Sequence, residues 1–443
     1  MTNKDNGREI ALGILLAIDK GEMKSHEALL LTLNKYQYLD KKERAKITRT
    51  VEGVLERQIT LDYVINQHAS LKVKKMKPFI RCLLRCAVYE IYYMDAVPDR
   101  AAISEAVEMA KNHSFKKLSG FVNGVLRNIA RSKGQEKMPK DRVKNLSVTY
   151  AMPEEILREW IRDYGEETAV KMSAAALKTP PLTVRPVGVS LPEVKDMLEK
   201  EGVSVTAHPY GGAWNLENVD YLSGLNSFRE GRFTIQDGAG ILAVNMSGIK
   251  KTDAVLDVCA APGGKALHAS EKAKSVLARD VSDYKVHLIQ ENADRLGRTN
   301  LKAEVFDARN FDPASKDSFD VVICDLPCSG LGVLGRKADI KTHYTKEMGE
   351  ALVALQREIL DVAKRYVKKG GTLLYATCTV RRAENQDQVE AFLKDNPDFA
   401  LCPFENVPES LKAEAHEGML QLLPGVHPSD GFFMARLKRK GEA

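Results

Sequence analysis

Two cysteines, Cys328 and Cys378, follow apolar runs instead of lying inside them, in Val321-Val-Ile-Cys-Asp325-Leu-Pro327-Cys328-Ser-Gly and Thr372-Leu-Leu-Tyr-Ala376-Thr377-Cys378-Thr379. Neighbouring Pro, Gly, Ser and Thr turn backbone toward a ligand, so each thiol sits where it can react. Such a pair has three readings: a disulfide, disfavoured in a reducing compartment; a metal pair, for which no further Cys or His stands at a suitable spacing; or a nucleophile with a partner. Cys82, Cys86, Cys324 and Cys402 read instead as small apolar residues. Acids end the other runs. Asp257-Val-Cys259-Ala260-Ala261-Pro262-Gly263-Gly264-Lys265 is a small-residue turn that lets backbone approach a ligand and opens a helix whose free N–H groups favour an anion. It is neither G-x-G-x-x-G nor a P-loop, so a dinucleotide or a nucleoside triphosphate is not favoured. Asp280 ends the next run, where nucleotide-binding α/β folds accept both ribose hydroxyls, and Asp307 ends the one after, within reach of an adenine amino group. Any one of these acids is explained by helix capping; a series at successive strand ends is not.

Strands must hold these residues in one row, and the chain after Gly248 supplies them. Buried-strand runs (AVLDVCA, SVLARDV, AEVFDA, DVVICDLP, GTLLYATCTV) alternate with helical stretches, one of them around Lys346–Lys368, which argues for a doubly wound, mostly parallel sheet. Ligands bind such sheets at the carboxyl ends of the strands, where all the residues above fall. Upstream, Leu182–Val187, Ser204–Ala207 and Phe233–Gln236 with the helical Pro192–Glu201 suggest a small α+β subdomain, preceded by helices from about Pro153 to Lys178. From Asn6 to Ser132 apolar residues recur three and four apart (Ile10, Ile14, Ala17, Ile18; Ile80, Leu83, Leu84, Ala87, Ile91), the mark of an all-α domain, and the polar Arg131–Lys140 reads as a linker. The expected organisation is therefore multidomain: an all-α domain over residues 1–135, a helical linker and α+β subdomain over 136–240, and a Rossmann-like α/β domain over 241–443.

Length and composition agree. The chain has 443 residues, 44% of them hydrophobic and 28% charged, enough for two to four domains with cores of their own. No apolar run approaches the ~20 residues of a membrane span, and the N-terminal stretch lacks the pattern of a secretory signal, so a cytoplasmic protein with reduced thiols is expected. The charge is uneven. The first 150 residues carry 28 basic against 17 acidic side chains while the whole chain is only +6, which makes the front the part to touch a polyanion.

CAAPGGK, DLPCSG and YATCTV, in this order on such a sheet, resemble the S-adenosylmethionine-dependent RNA cytosine-5 methyltransferases. The wider likeness is to the Sun/RsmB family of 16S ribosomal RNA methyltransferases, whose front domain is NusB-like; AAISEAVEMAK and FVNGVLRNIAR carry that part, and Gln421-Leu-Leu-Pro-Gly with Asp430-Gly-Phe-Phe433 resembles the family's last strands. The resemblance implies that Cys378 is the nucleophile and Cys328 the base for product release. It implies that Asp325 hydrogen-bonds the cytosine edge or the cofactor, and that S-adenosylmethionine lies along Cys259, Ala260, Ala261, Pro262, Gly263, Gly264 and Lys265 with Asp280 on its ribose and Asp307 at its adenine. Lys265 would help position the cytosine. No metal is implied. Thr379 stands where the family more often has Ser and Ala266 where it often has Thr, and Glu384-Asn385 is kept without the usual preceding Pro.

A pocket of this kind needs its base single-stranded or flipped, with binding energy from elsewhere. Lys72–Lys77, the cluster Lys41, Lys42, Arg44, Lys46 and Arg49, and Lys116-Lys117 are phosphate-contact candidates, each weighed evenly against a merely solvated face; Arg336, Lys337 and Lys341 are further candidates, with His343 and Tyr344 as stacking surfaces. The expected partner is small-subunit ribosomal RNA, bound by a monomer, with neither DNA nor membrane involved. Three competing readings remain: a NusB-like RNA-binding assembly or transcription factor with a relic methyltransferase domain, an enzyme acting on another RNA such as tRNA, and an enzyme in which Cys328 is the nucleophile.

Overall fold

Helix signals and strand signals separate along the chain, and the structure, a computed structural model, separates with them. It describes residues 6–441 apart from Lys24 and Asp220. Contacts divide the chain into two compact units, one of Met1–Lys178 with Leu334–His343, the other of Thr179–Val333 with Tyr344–Ala443. The division places the helices after residue 136 with the front helices and the small α+β region with the large sheet.

The first unit is helical: α1 (Gly7–Asp19), α2 (Ser25–Lys35), α3 (Lys41–Glu56), α4 (Gln58–His68), α5 (Pro78–Tyr93), α6 (Asp99–Asn112), α7 (Ser119–Ser132), α8 (Arg142–Tyr150), α9 (Glu154–Tyr164) and α10 (Glu166–Ala175). Local chemistry sets the starts. The Asn6, Asp40 and Asp141 side chains accept the backbone N–H of Arg8, Glu43 and Lys144, and Pro78 sits in the first turn of α5 where its missing N–H costs nothing. Leu12, Leu15, Val51, Leu84, Val88 and Leu126 are buried at the centre. Gly53 of α3 lies under the Tyr89 ring, where an added Cβ would sit 2.0 Å from Cζ, so only glycine lets α3 and α5 approach this closely. Buried Arg85 is held by Asp62 in a two-pronged pair of 2.7 and 2.8 Å and by Asp19 at 3.3 Å.

One expectation fails in this unit. Lys341, read from the sequence as a phosphate-contact candidate, is 2% exposed and donates its ammonium to the Glu56 carbonyl at 2.7 Å, at the carboxyl end of α3. The negative end of a helix favours a cation there. Burial pulls this lysine down to about 8. The partner is distant in sequence and nothing local announces it. Lys72, Lys74, Lys75 and Lys77, by contrast, are exposed around the buried anchors Val73 and Met76, and Lys116 and Lys117 are exposed too.

The second unit runs β1 (Leu182–Pro186), α11 (Leu191–Lys200), β2 (Ser204–Ala207), β3 (Trp214–Glu217), α12 (Asn226–Arg229), β4 (Phe233–Ile235), α13 (Gly238–Asn245), β5 (Ala254–Asp257), α14 (Gly264–Ser270), β6 (Ser275–Asp280), α15 (Asp283–Arg295), β7 (Leu301–Val305) and β8 (Phe319–Asp325). After the single turn α16 (Ile340–His343), which belongs to the first unit, come α17 (Lys346–Ala363), β9 (Val367–Thr377), α18 (Gln386–Asp395), β10 (Phe399–Leu401), β11 (Met419–Leu422) and β12 (Phe432–Arg439). A small antiparallel sheet has the order β2-β3-β1-β4, and the large sheet the order β10-β12-β9-β8-β5-β6-β7 with β11 paired to β12. Strands β7-β6-β5-β8-β9 are parallel, whereas β12 is antiparallel to β9, β10 and β11. The chain leaves β5 toward β6 and β7, then returns to the other side of β5 with β8 and β9. That reversal opens a crevice between the carboxyl ends of β5 and β8. The helix expected to continue to Lys368 ends at Ala363, and β9 starts four residues later.

Candidate active site

The crevice is a cavity of about 430 Å³, within the range of small-molecule sites, lined among others by Cys259, Ala261, Asp280, Asp307, Asp325, Cys328 and Cys378. Seven of the residues singled out in the sequence thus share one wall. Ala260, Pro262, Gly263, Gly264 and Lys265 do not line it. Ala260 is buried, and Gly263, at φ +106°, takes the backbone into α14 in a conformation that residues with a side chain rarely adopt.

Each acid is held by what surrounds it. Asp280, 5% exposed at the end of β6, accepts the Ala261 N–H at 3.1 Å and lies 3.3 Å from the Lys285 ammonium. Asp307, two residues beyond β7, pairs with Arg309 at 2.6 Å, whose hydrogen bonds keep its carboxyl below the usual range. Asp257 was not singled out as a site residue, yet it ends β5 beside the turn, 1% exposed, with Oδ1 accepting the Cys259 N–H at 3.4 Å and no partner for Oδ2. Burial, reinforced by Asp325, pushes its carboxyl up to about 7. The acidic side chains of Asp280, Asp307 and Asp325 on the cavity wall suit a ligand that has hydroxyls and positive charge, as S-adenosylmethionine does with its ribose, ammonium and sulfonium.

At the other end of the cavity Lys265 reaches across from α14 to Asp325 at 2.6 Å, its ammonium 5.1 Å from the Phe432 ring centre. Burial works to lower that lysine, but the charge and hydrogen bond of Asp325, with Asp257 behind it, outweigh burial and hold it above the ordinary value. The turn after β8 and the end of β9 bring the Cys328 and Cys378 sulfurs to 3.4 Å. The hydrogen bond to Cys378, then burial, pushes the Cys328 thiol well up. Cys324 is fully buried and its thiol is also pushed up by burial, in keeping with its reading as a small apolar residue. Among the described residues no group of three or more His, Cys, Asp or Glu gathers as metal ligands, and no helix is long and apolar enough to cross a membrane.

Sequence reasoning missed the support behind the two thiols. Gln356 and Glu384 are fully buried there and hydrogen-bond each other at 3.1 Å. Two signals were available, the Glu384-Asn385 pair kept in the family resemblance and Gln356 itself, an amide on the apolar face of α17.

Comparison with known proteins agrees with the geometry. Residues 245–438 match the family model described as 16S rRNA methyltransferase RsmB/F, and residues 5–131 match the NusB family. The probable ribosomal RNA small subunit methyltransferase B of Bacillus subtilis is 37% identical over 453 residues, covering 99% of this chain and all of that protein. The ribosomal RNA small subunit methyltransferase B of Shewanella oneidensis is 32% identical over 89% of this chain and 91% of its own. The solved structure of PH0851 shares the fold over 99% of this chain and 100% of its own, with a TM-score of 0.82 at 24% identity. NSun6 from Pyrococcus horikoshii, solved with SFG, does so over 66% of this chain and 100% of its own, with a TM-score of 0.57 at 21% identity. With relatives this similar along its whole length, the chain belongs to the RsmB/Sun family of S-adenosylmethionine-dependent ribosomal RNA methyltransferases.

Proposed function

We propose that the protein methylates carbon 5 of a cytosine in 16S ribosomal RNA through a covalent cysteine–cytosine adduct. The observation that carries this reading is the pair of thiols in contact at 3.4 Å on the wall of the cofactor cavity, beside the Lys265–Asp325 pair. Carbon 5 of cytosine is too electron-poor to accept a methyl group directly. A thiolate adding to carbon 6 turns carbon 5 into an enamine-like nucleophile. Cys378 supplies that sulfur, and Cys328, whose thiol the neighbouring sulfur keeps protonated, waits. S-adenosylmethionine, held against Cys259 and Ala261 of the turn by Asp280 and Asp307, supplies an electrophilic methyl group when bound.

Once carbon 5 bears both the methyl group and its original hydrogen, that hydrogen must leave as a proton. Bonding of the Cys378 sulfur to carbon removes the hydrogen bond and the charge with which that sulfur pushes the Cys328 thiol up, leaving burial as the main opposition to its ionisation; Cys328 passes its proton to solvent and acts as the base. It takes the proton from carbon 5; the electron pair of that bond forms the C5–C6 double bond and the Cys378–carbon 6 bond breaks, expelling the thiolate. Asp325 hydrogen-bonds the cytosine edge, and the Lys265 ammonium, 2.6 Å from its Oδ2, holds that side chain in place. The NusB-like domain supplies RNA affinity through exposed lysines such as Lys72, Lys74, Lys75 and Lys77. The protein acts as a monomer on RNA and not on DNA.

The test is release of tritium from 16S rRNA labelled at cytosine carbon 5, together with nucleoside analysis of the product. One tritium released for each 5-methylcytidine formed is the expected result. A methyl group found on a ring nitrogen or a ribose oxygen, with tritium retained, overturns the reading.

A further inference from the structure

A buried acidic side chain, Glu384, lies behind the thiol pair and hydrogen-bonds the turn that carries Cys328. Glu384 lies in the 3-10 turn Arg382–Glu384 just after Cys378, with no exposure to solvent. Its Oε2 accepts the Ser329 N–H at 2.9 Å and the Gln356 amide at 3.1 Å, and its Oε1 accepts the Arg381 guanidinium at 3.2 Å. The Gln356 amide also donates to the Pro327 carbonyl at 2.9 Å. The two backbone groups that flank Cys328 are thus gripped from one side, the N–H after it by Glu384 and the C=O before it by Gln356. The strand that carries Cys378 is tied to the same turn: the Ser329 and Thr379 hydroxyls are 2.7 Å apart, and the Gly332 N–H donates to the Cys378 carbonyl at 3.1 Å. Gly332 has to be glycine for this, because an added Cβ would lie 2.8 Å from the Cys378 carbonyl oxygen and 2.0 Å from that of Gly431.

A buried ion pair such as Arg381–Glu384 is weak support for stability and is better suited to fixing one arrangement among several. Hydrophobic packing at this spot would let the turn after β8 slide along β9. Directional hydrogen bonds to a single carboxylate do not. We infer that Glu384 is a positioning residue, which clamps the Cys328 turn onto the Cys378 strand so that the two sulfurs remain in contact through the catalytic cycle. The consequence for turnover rests on the proposed roles, Cys378 attacking and Cys328 releasing: a loosened Cys328 leaves attack intact and slows release.

Two readouts on the full-length protein test this. In the first, without RNA, hydrogen peroxide oxidises the thiol pair; each thiol gives up one hydrogen, peroxide is reduced to two waters and one S–S bond forms, which mass spectrometry follows as a loss of two hydrogens. Glu384→Gln keeps the volume but turns one oxygen into a donor, which breaks the grip on either Arg381 or Ser329. Its cross-linking rate is expected to fall tenfold or more, with affinity for S-adenosylmethionine within threefold of the parent. In the second, with S-adenosylmethionine and 16S rRNA, Glu384→Gln is expected to accumulate a denaturation-resistant protein–RNA adduct. Gln356→Met, which removes the second grip without removing a charge, is expected to show the same pattern more weakly and serves if Glu384→Gln does not fold. Cross-linking at the parental rate in both variants overturns the inference, as does loss of cofactor affinity in parallel with cross-linking, which makes Glu384 a support of the fold alone. If Cys328→Ala forms no adduct in the same gel, the sulfur roles fall, while the cross-linking rates still decide the role of Glu384.

Discussion

Replacing Asp257 by Asn removes a buried charge and should make the second unit more stable above neutral pH. Asp257 is 1% exposed, one of its oxygens has no partner, and its carboxyl is pushed from 3.8 to about 7. The raised value fixes the sign. Between about pH 4 and pH 7 the folded protein holds a proton at this site that the unfolded chain has lost, so stability falls as pH rises through that window and levels off above it. Each pH unit in the window costs about 1.4 kcal/mol. From pH 5 to pH 8 the parent should therefore lose about 3 kcal/mol that Asp257→Asn keeps. For a unit of this size that separates the two melting temperatures by roughly 6–12 °C more at pH 8 than at pH 5. Scanning calorimetry of both proteins without cofactor at the two pH values measures the difference. A gap that does not change with pH refutes the reasoning, because it means that Asp257 is ionised, or neutral, throughout.

Asp280→Ala removes the anchor of the Ala261 N–H and the proposed ribose acceptor; hydrogen bonds to a charged group are worth about 1.5–3 kcal/mol, so the calorimetric Kd for S-adenosylmethionine should rise at least tenfold. An unchanged Kd contradicts the ribose assignment. Gly53→Ala forces a methyl group into the Tyr89 ring and should destabilise the helical unit by about 1–3 kcal/mol in urea unfolding, with no change in cofactor affinity. Changing Lys72, Lys74, Lys75 and Lys77 together to Gln should reduce the slope of log affinity for RNA against log salt by about 3, at ~0.7–0.9 per phosphate contact. An unchanged slope shows that loop to be only a solvated face.

The elements that position the chemistry were legible because their sequence is locally consistent. Strands β6 and β8 are apolar runs that stop at Asp280 and Asp325, and the same pattern that marks a buried parallel strand marks where the ligand lies. Other elements gave no such pattern. Strand β3, Trp214–Glu217, has four residues and only Leu216 buried, so it shows no alternation. Helix α13, Gly238–Asn245, is small and apolar on every side and buried all round, which leaves no polar face for a helical period to reveal. After Val367 the first residues of β9, Lys368, Lys369, Gly370 and Gly371, are charged or glycine and hide the strand behind what reads as the end of a helix.

The site divides in the same way. Cys328, Cys378, Asp280 and Asp325 were readable because thiols and acids at strand ends are chemically conspicuous. What holds them was not. Glu384 and Gln356 act through backbone groups of residues 55 and 29 positions away, and Lys341 finds its carbonyl 285 positions away. Such partners are set by topology, and the local sequence does not show them. The resemblance carried the assignment of roles, and the geometry adds that the two sulfurs lie 3.4 Å apart.

The most direct test of the covalent mechanism is a denaturing gel of Cys328→Ala and Cys378→Ala, each incubated with S-adenosylmethionine and 16S rRNA. A denaturation-resistant protein–RNA adduct in Cys328→Ala, with Cys378→Ala inactive and free of adduct, is the expected result. An adduct in Cys378→Ala instead reverses the two roles, and full methylation by both variants contradicts thiol catalysis altogether.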